Sequence, residues 1–153
     1  MALSMRSLAA ELSVTPMALY NHVAGKADVL DGIADLVMRE AAEPLEGLPW
    51  QRRLKVCKSG VRRACLAHPG AVPLIQRTST VTPALMWPME VTLNALAEAG
   101  LGSEEALHGW SALVALTMGH VTYQLGGHMP GHDFDAGFAF ALDLLIEGLG
   151  RAA

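Results

Sequence analysis

The chain carries little of what catalysis or membrane life requires. No Gly-x-Ser-x-Gly elbow, phosphate loop or Gly-x-Gly-x-x-Gly fingerprint is present, so the chain is not expected to be an enzyme and no cofactor is implied. No apolar run reaches the length of a transmembrane helix, because Gly, His, Thr and Glu interrupt each candidate. The opening residues lack the basic and then apolar pattern of a leader, so no membrane partner and a cytoplasmic location are expected. Cysteine is scarce: Cys57 and Cys65 are the only two. On one helix their eight-residue separation is about 12 Å along the axis, too far for a bridge between them. They read as reduced structural thiols, with a redox sensor as the lesser alternative. Strand alternation, internal repeats and low-complexity tracts are also missing, and the chain reads as all-α. Charge is sparse as well, at 17% of residues with a net of −4. That balance argues against broad nucleic-acid affinity, although a small basic footprint on an acidic protein stays compatible with sequence-specific binding.

Apolar residues, in contrast, make up 52% of the 153. This is more than a monomer of that size easily hides, and an oligomer interface is the simplest outlet.

The best-defined local signal lies between Ser4 and Lys26. Ser4 is a helix N-cap, and Leu8 and Leu12 follow on one apolar stripe. Ala9 suits a close helix crossing. The stripe breaks at Ser13, with Val14 placed to plug the turn. Thr15-Pro16 restarts the chain as cap and first helical residue. The second helix then spans about residues 16–22, with Leu19 and Val23 inward and Met17, Ala18, Tyr20, Asn21 and His22 outward. Two short helices so joined suit a helix-turn-helix, which places its second helix in a DNA groove; an ordinary helical hairpin with a polar face fits the spacing equally well.

The run Leu8-Ala9-x-x-Leu12-x-Val14-x-x-x-Ala18-Leu19-Tyr20-x-His22-Val23-x-x-Lys26 resembles the DNA-binding domain of the tetracycline-repressor family from its second helix onward. That domain's first helix has no counterpart in these residues. The resemblance implies that Tyr20 and Lys26 hold phosphates. It also implies that Arg6, Pro16, Met17, Ala18 and His22 face the groove, with Thr15 at the start of the recognition helix. Ser13 departs from the pattern, since many members have Gly there; a left-handed turn would cost a non-Gly residue about 1 kcal/mol.

Further along, a helix over about residues 26–41 presents Val29, Leu30, Ile33, Leu36 and Val37 as a stripe. Its ends carry Asp28 and Arg39, each suited to the helix dipole. Glu43 to Pro49 holds two prolines and a glycine and marks a boundary. The expected domains are therefore an N-terminal helix-turn-helix DNA-binding domain, 1–43, and a helical-bundle ligand-binding and dimerisation domain, 48–153. Residues 50–68 form a helix with Arg52, Arg53, Lys55, Lys58, Arg62 and Arg63, six of the eleven cations. Apolar residues interleave among them, so a solvated basic face is weighed against a nucleic-acid patch. His68-Pro69-Gly70 ends it, and a short helix over 71–77 follows. Beyond a polar loop over 78–82, helices are expected over 83–99, 103–126 and 134–150. The helix over 103–126 is apolar nearly all round, which implies burial on several sides. The last helix mixes Ala136, Gly137, Ala139 and Ala141 with large apolar residues, and two such helices per subunit can build a four-helix dimer interface.

Trp50, His68-Pro69 and Leu93-x-x-Leu96-x-x-Ala99-Gly100-Leu101 are similar to the same family's C-terminal domain, so the resemblance spans the chain. It implies a ligand-responsive transcriptional regulator, usually a repressor. Its partners would be a double-stranded DNA operator, a small-molecule effector and a second copy in a homodimer. A helical small-molecule binder that has lost DNA binding is the alternative. By helix position the effector pocket would draw on Met86, Trp87 and Leu93 from one helix. Trp110, Val114, Thr117, Met118, Val121 and Gln124 would come from the next. His108, His120, His128 and His132 invite a metal reading. No Cys or closely spaced carboxylate completes a ligand set, however, and no metal site is expected. His132, Asp133 and Asp135 suggest an acid-base trio but sit in a loop, where solvation is the plainer role.

Overall fold

The computed structural model describes residues 4–77, 80–127 and 129–153, and among these every regular element is helical. The elements are α1 (Met5–Glu11), α2 (Pro16–Tyr20), α3 (Lys26–Ala41) and α4 (Trp50–Ala67), then a 3-10 turn (Pro69–Ala71). They continue as α5 (Val72–Arg77), α6 (Pro83–Ala99), α7 (Ser103–Gly126) and α8 (Phe134–Ala152). Several boundaries differ by a turn or less from the sequence reading. The recognition helix stops at Tyr20 rather than His22, the segment after His68 opens as a 3-10 turn, and α8 runs on to Ala152. His128, Thr78 and Ser79 lie outside the described residues, as does the stretch before Ser4.

Local chemistry accounts for the starts. The Ser4 hydroxyl accepts from the Ser7 N–H, and Ser7 Oγ accepts from the Ser4 N–H in return. Thr15 Oγ1 accepts from the Ala18 N–H, Thr82 Oγ1 from the Leu85 N–H, and both caps are followed by Pro at the first helical position. Asp133 caps α8 by accepting from the N–H groups of Asp135 and Ala136. It is thus a structural carboxylate, and the acid-base trio is taken apart further because Asp135 pairs with Arg62.

Helix α4 lies at the centre, packed against α3, α6, α7 and α8. Two apolar clusters flank it. One joins Val37 and Met38 of α3 to Val61 and Cys65 of α4 and Val121 of α7. The other joins Leu54 to Leu96, Leu113, Phe138, Leu142 and Ile146. The helices α3 and α4 cross closely enough that a Cβ at Gly60 would stand 2.2 Å from the Ala41 carbonyl oxygen, so only glycine fits that crossing.

Central placement corrects the reading of α4 as a solvated basic face. Arg53 pairs with Glu98, Lys55 with Asp143 at 2.6 Å, Arg62 with Asp135 at 2.7 Å and Arg63 with Glu43 at 2.6 Å. Lys58 and Arg62 are buried outright, at 2% and 8% exposure. Long cationic side chains hold neighbouring elements to α4 here, which leaves few of them for a phosphate backbone.

Helix α7 buries one stripe, Ala106, Gly109, Leu113, Thr117 and Val121, spaced by three or four residues. Within a single chain its other face is open, contrary to the burial on several sides that its composition suggests. Leu107, Tyr123 and Leu125 of α7 stand exposed, as do Phe140 and Leu144 of α8.

Candidate DNA-facing helix and ligand cavity

The N-terminal unit is a turn between two short helices. The chain reverses at Ser13, whose φ is +55°, and the Val14 N–H donates to the Ala9 carbonyl at 2.9 Å. Ala9 is buried at the crossing, while Leu8, Leu19 and Val23 are half-buried. Two inward assignments need correction: Leu12 is 55% exposed and Val14 is 44% exposed. Both side chains face solvent in the single chain.

Helix α2 contains no buried residue. Met17, Tyr20 and His22 are exposed on it or just beyond it, with Thr15 and Pro16 exposed at its start and Ala18 half-buried. Arg6 on α1 and Lys26 at the first position of α3 are exposed nearby in the chain. The Asp28 carboxylate accepts from the Ala24 N–H at 2.9 Å and so ties the segment ahead of Lys26 to the start of α3. The set mixes polar and apolar side chains, faces solvent apart from the half-buried Ala18, and is short enough to enter a groove, with Arg6 on the helix before it and Lys26 opening the helix after it.

The larger unit holds an apolar cavity of about 600 Å³ between α5, α6 and α7, floored by Met38 of α3 and Val61 of α4. Four residues expected at a pocket line it: Met86, Trp110, Val114 and Met118. The other five stand elsewhere. Trp87 packs on the cluster around Val61, and Val121 belongs to that cluster. Leu93 borders a separate groove between α6 and α7. The Thr117 hydroxyl, fully buried, donates to the Leu113 carbonyl at 2.7 Å within its own helix. Gln124 accepts from Arg62. The helical period places residues on faces, and it is the packing of α4 against α7 that decides which face meets the cavity. Ile75, Gln76, Thr80, Val81, Leu85, Pro88, Met89 and Ala115 complete the lining. Those of them on α5 and in the following loop gave no periodic signal by which a sequence reading could find them.

Besides the apolar packing of α3 on α4, two carboxylates of α3 are bonded to the segment that opens α6. Asp35 of α3 accepts from Thr82, the cap of α6, and from Arg39. The Thr82 and Arg39 hydrogen bonds hold its carboxyl below the ordinary range, outweighing its burial. One turn earlier, Asp31 accepts from Thr80, which itself lines the cavity.

No three His, Cys, Asp or Glu side chains among the described residues stand close enough to hold a metal ion. His120 packs edge-on against Phe138 with centroids 5.4 Å apart, and His132 packs against Phe134. Burial, with help from Arg62 and His132, pushes the His120 ring below its ordinary value. Burial also raises both thiols, Cys65 to about 11. Among the described residues no helix is long and apolar enough to cross a membrane.

Residues 43–132 match the family model for the tetracyclin repressor-like C-terminal domain. The chain is 30% identical over 125 residues to the HTH-type transcriptional repressor DrrR1 of Streptomyces coeruleorubidus, covering 80% of this chain and 46% of that protein. It spans about half the length of the curated relatives it matches. The fold is similar to that of the TetR family protein ActR of Streptomyces coelicolor in complex with actinorhodin. The TM-score is 0.79 at 28% identity, over 99% of this chain and 88% of that one. It is also similar to BioQ with its natural double-stranded DNA operator, with a TM-score of 0.78 at 27% identity over 97% and 86% of the two chains.

Proposed function

Because the chain belongs to the tetracycline-repressor family, we propose that it is a ligand-responsive, sequence-specific DNA-binding regulator, acting as a repressor. The observation that carries this reading is the attachment of an exposed, capped α2 to α3, the helix whose Asp31 and Asp35 are hydrogen-bonded to the residues opening the cavity side of α6. A ligand that enlarges or reshapes the cavity moves Thr80 and Thr82, and α3 is bonded to both. Binding at one site then changes affinity at the other in proportion to the ligand's preference between two states.

In this reading Tyr20 and Lys26 hold phosphates. Arg6, Thr15, Pro16, Met17, Ala18 and His22 face the groove, and the cavity around Met86, Trp110, Val114 and Met118 takes the effector. Two copies pair through α7 and α8, covering Tyr123, Leu125, Phe140 and Leu144, in a four-helix arrangement. Pairing sets the two recognition helices about 34 Å apart, one turn of the duplex. The 1–43 and 48–153 division follows, with the reader in the first part and the ligand and dimer surfaces in the second. The protein works in the cytoplasm and has no catalytic role. That ActR has been seen with a small molecule and BioQ with an operator supports this reading over a binder without DNA function.

Selection from a random duplex pool tests it. A regulator of this kind enriches a palindrome whose half-sites are about 10 base pairs apart, centre to centre. Recovery of a pool with no shared sequence would overturn the proposal.

A further inference from the structure

The cavity's lining has a property that its location does not dictate: none of the described residues around it is ionisable. Its walls are thioethers, aliphatic groups and one indole. Met86 and Met89 come from α6, Trp110 and Met118 from α7. Among the described lining residues, the side-chain hydrogen-bonding groups are the Gln76 amide, the Thr80 hydroxyl and the Trp110 N–H. Two acids of α3, Asp31 and Asp35, accept from Thr80 of the lining and from Thr82 beside it. Asp35 is also neutralised by Arg39 at 2.7 Å.

We propose that the effector is an uncharged, largely apolar compound of drug size, aromatic or polycyclic, with a few neutral polar substituents and no bound metal ion. This rests on reading the cavity as the effector site. An anion entering there would lose its water and meet no cation, with two carboxylates beyond the threonines. A fixed cation would lose its water with no carboxylate in contact, and burial of an unpaired charge is strongly disfavoured. A metal chelate would need oxygen or imidazole ligands from the wall, and the lining residues provide none that is anionic or imidazole. Methionine walls, in contrast, adapt to flat apolar ligands and make favourable sulfur–aromatic contacts. The volume of about 600 Å³ falls within the range of sites that enclose such molecules.

A matched pair of probes isolates the charge. N-Phenyl-1-naphthylamine is neutral, and 8-anilinonaphthalene-1-sulfonate is the same skeleton with a sulfonate; ethidium adds a fixed positive charge. Energy transfer from tryptophan reports binding of each to the full chain. The neutral probe is expected to bind one per chain, at least tenfold more tightly than either charged probe. Val114→Trp, which fills the cavity, is expected to abolish that binding while the helical circular dichroism is kept. Met118→Lys places an ammonium in the wall and is expected to narrow the gap between the neutral and sulfonated probes at least threefold. If a charged probe binds equally well or better, and Val114→Trp removes it, the ligand class is wrong while the effector cavity stands. If Val114→Trp, folded by the same criterion, leaves neutral-probe binding unchanged, or if no probe binds, both the ligand class and the effector cavity fall.

Discussion

Asp35 accepts a hydrogen bond from the Thr82 hydroxyl, so α3, the helix that follows the helix-turn-helix, is bonded to the cap residue of the cavity's α6. Arg39 completes its shell at 2.7 Å from one turn further along α3. Thr82→Val keeps the shape but removes both the donor to Asp35 and the α6 cap that accepts from the Leu85 N–H. The expected loss is about 1–2 kcal/mol of stability, together with a smaller response of DNA affinity to ligand. Thr82→Ser is expected to restore both. Urea melts and ligand-dependent anisotropy of a DNA duplex measure the two effects. The acid side of the profile follows from the direction of the shift. A carboxyl lowered in the folded state adds stability above its ordinary value of 3.8, and that contribution is lost as pH falls through the lower folded value.

His120 sets a second, separate pH window. Its ring is pushed below 6.5 when folded, so the unfolded chain binds more protons as pH falls through 6.5 and the folded state loses ground. Urea midpoints are expected to fall between pH 8 and pH 5, and His120→Gln is expected to flatten that stretch without altering the Asp35 limb. A midpoint that rises on acidification would contradict the assignment.

Ser13 sits at a φ of +55° in the turn between α1 and α2. Ser13→Gly relieves that conformation and is expected to stabilise the N-terminal unit by about 1 kcal/mol, less the added entropy of the unfolded chain. Slower amide exchange in α1 and α2, with α7 unchanged, is the measurable consequence. The wild-type unit is expected to exchange faster than α7, since it buries one residue outright, Ala9.

Gly60 faces the Ala41 carbonyl at a distance that admits no Cβ. Gly60→Ala must push α3 from α4, at a cost of about 1–3 kcal/mol typical of overpacking. Because α3 carries the reader, thermal melts and DNA affinity are both expected to drop. Ser59→Ala, on the neighbouring exposed position, is expected to change neither.

Much of the fold was written in local chemistry. Ser4, Thr15-Pro16 and Thr82-Pro83 cap or open helices through atoms within three residues, so their positions were readable without knowing the partners. The periodic positions of α6 and α7 likewise pointed to Met86, Trp110, Val114 and Met118. Whatever depended on distant partners was not readable. The burial of Lys58 and Arg62 arises because α4 is the bundle's centre, and Asp135, which pairs with Arg62, lies 73 residues further along. Gln124 and Thr117 looked like pocket residues on α7, but their hydrogen bonds go to Arg62 and to Leu113. Leu12 fitted an inward stripe and Val14 a plug for the turn, and both stand exposed.

The proposed function requires this chain to prefer one DNA sequence over others. Its most direct test compares affinities for a palindrome from the gene's own upstream region and a scrambled duplex of equal length, by anisotropy at moderate salt. A specific regulator prefers the palindrome by about a thousandfold or more, and Tyr20→Phe and Lys26→Ala are expected to weaken both complexes. Equal affinity for palindrome and scrambled duplex would overturn the proposed function.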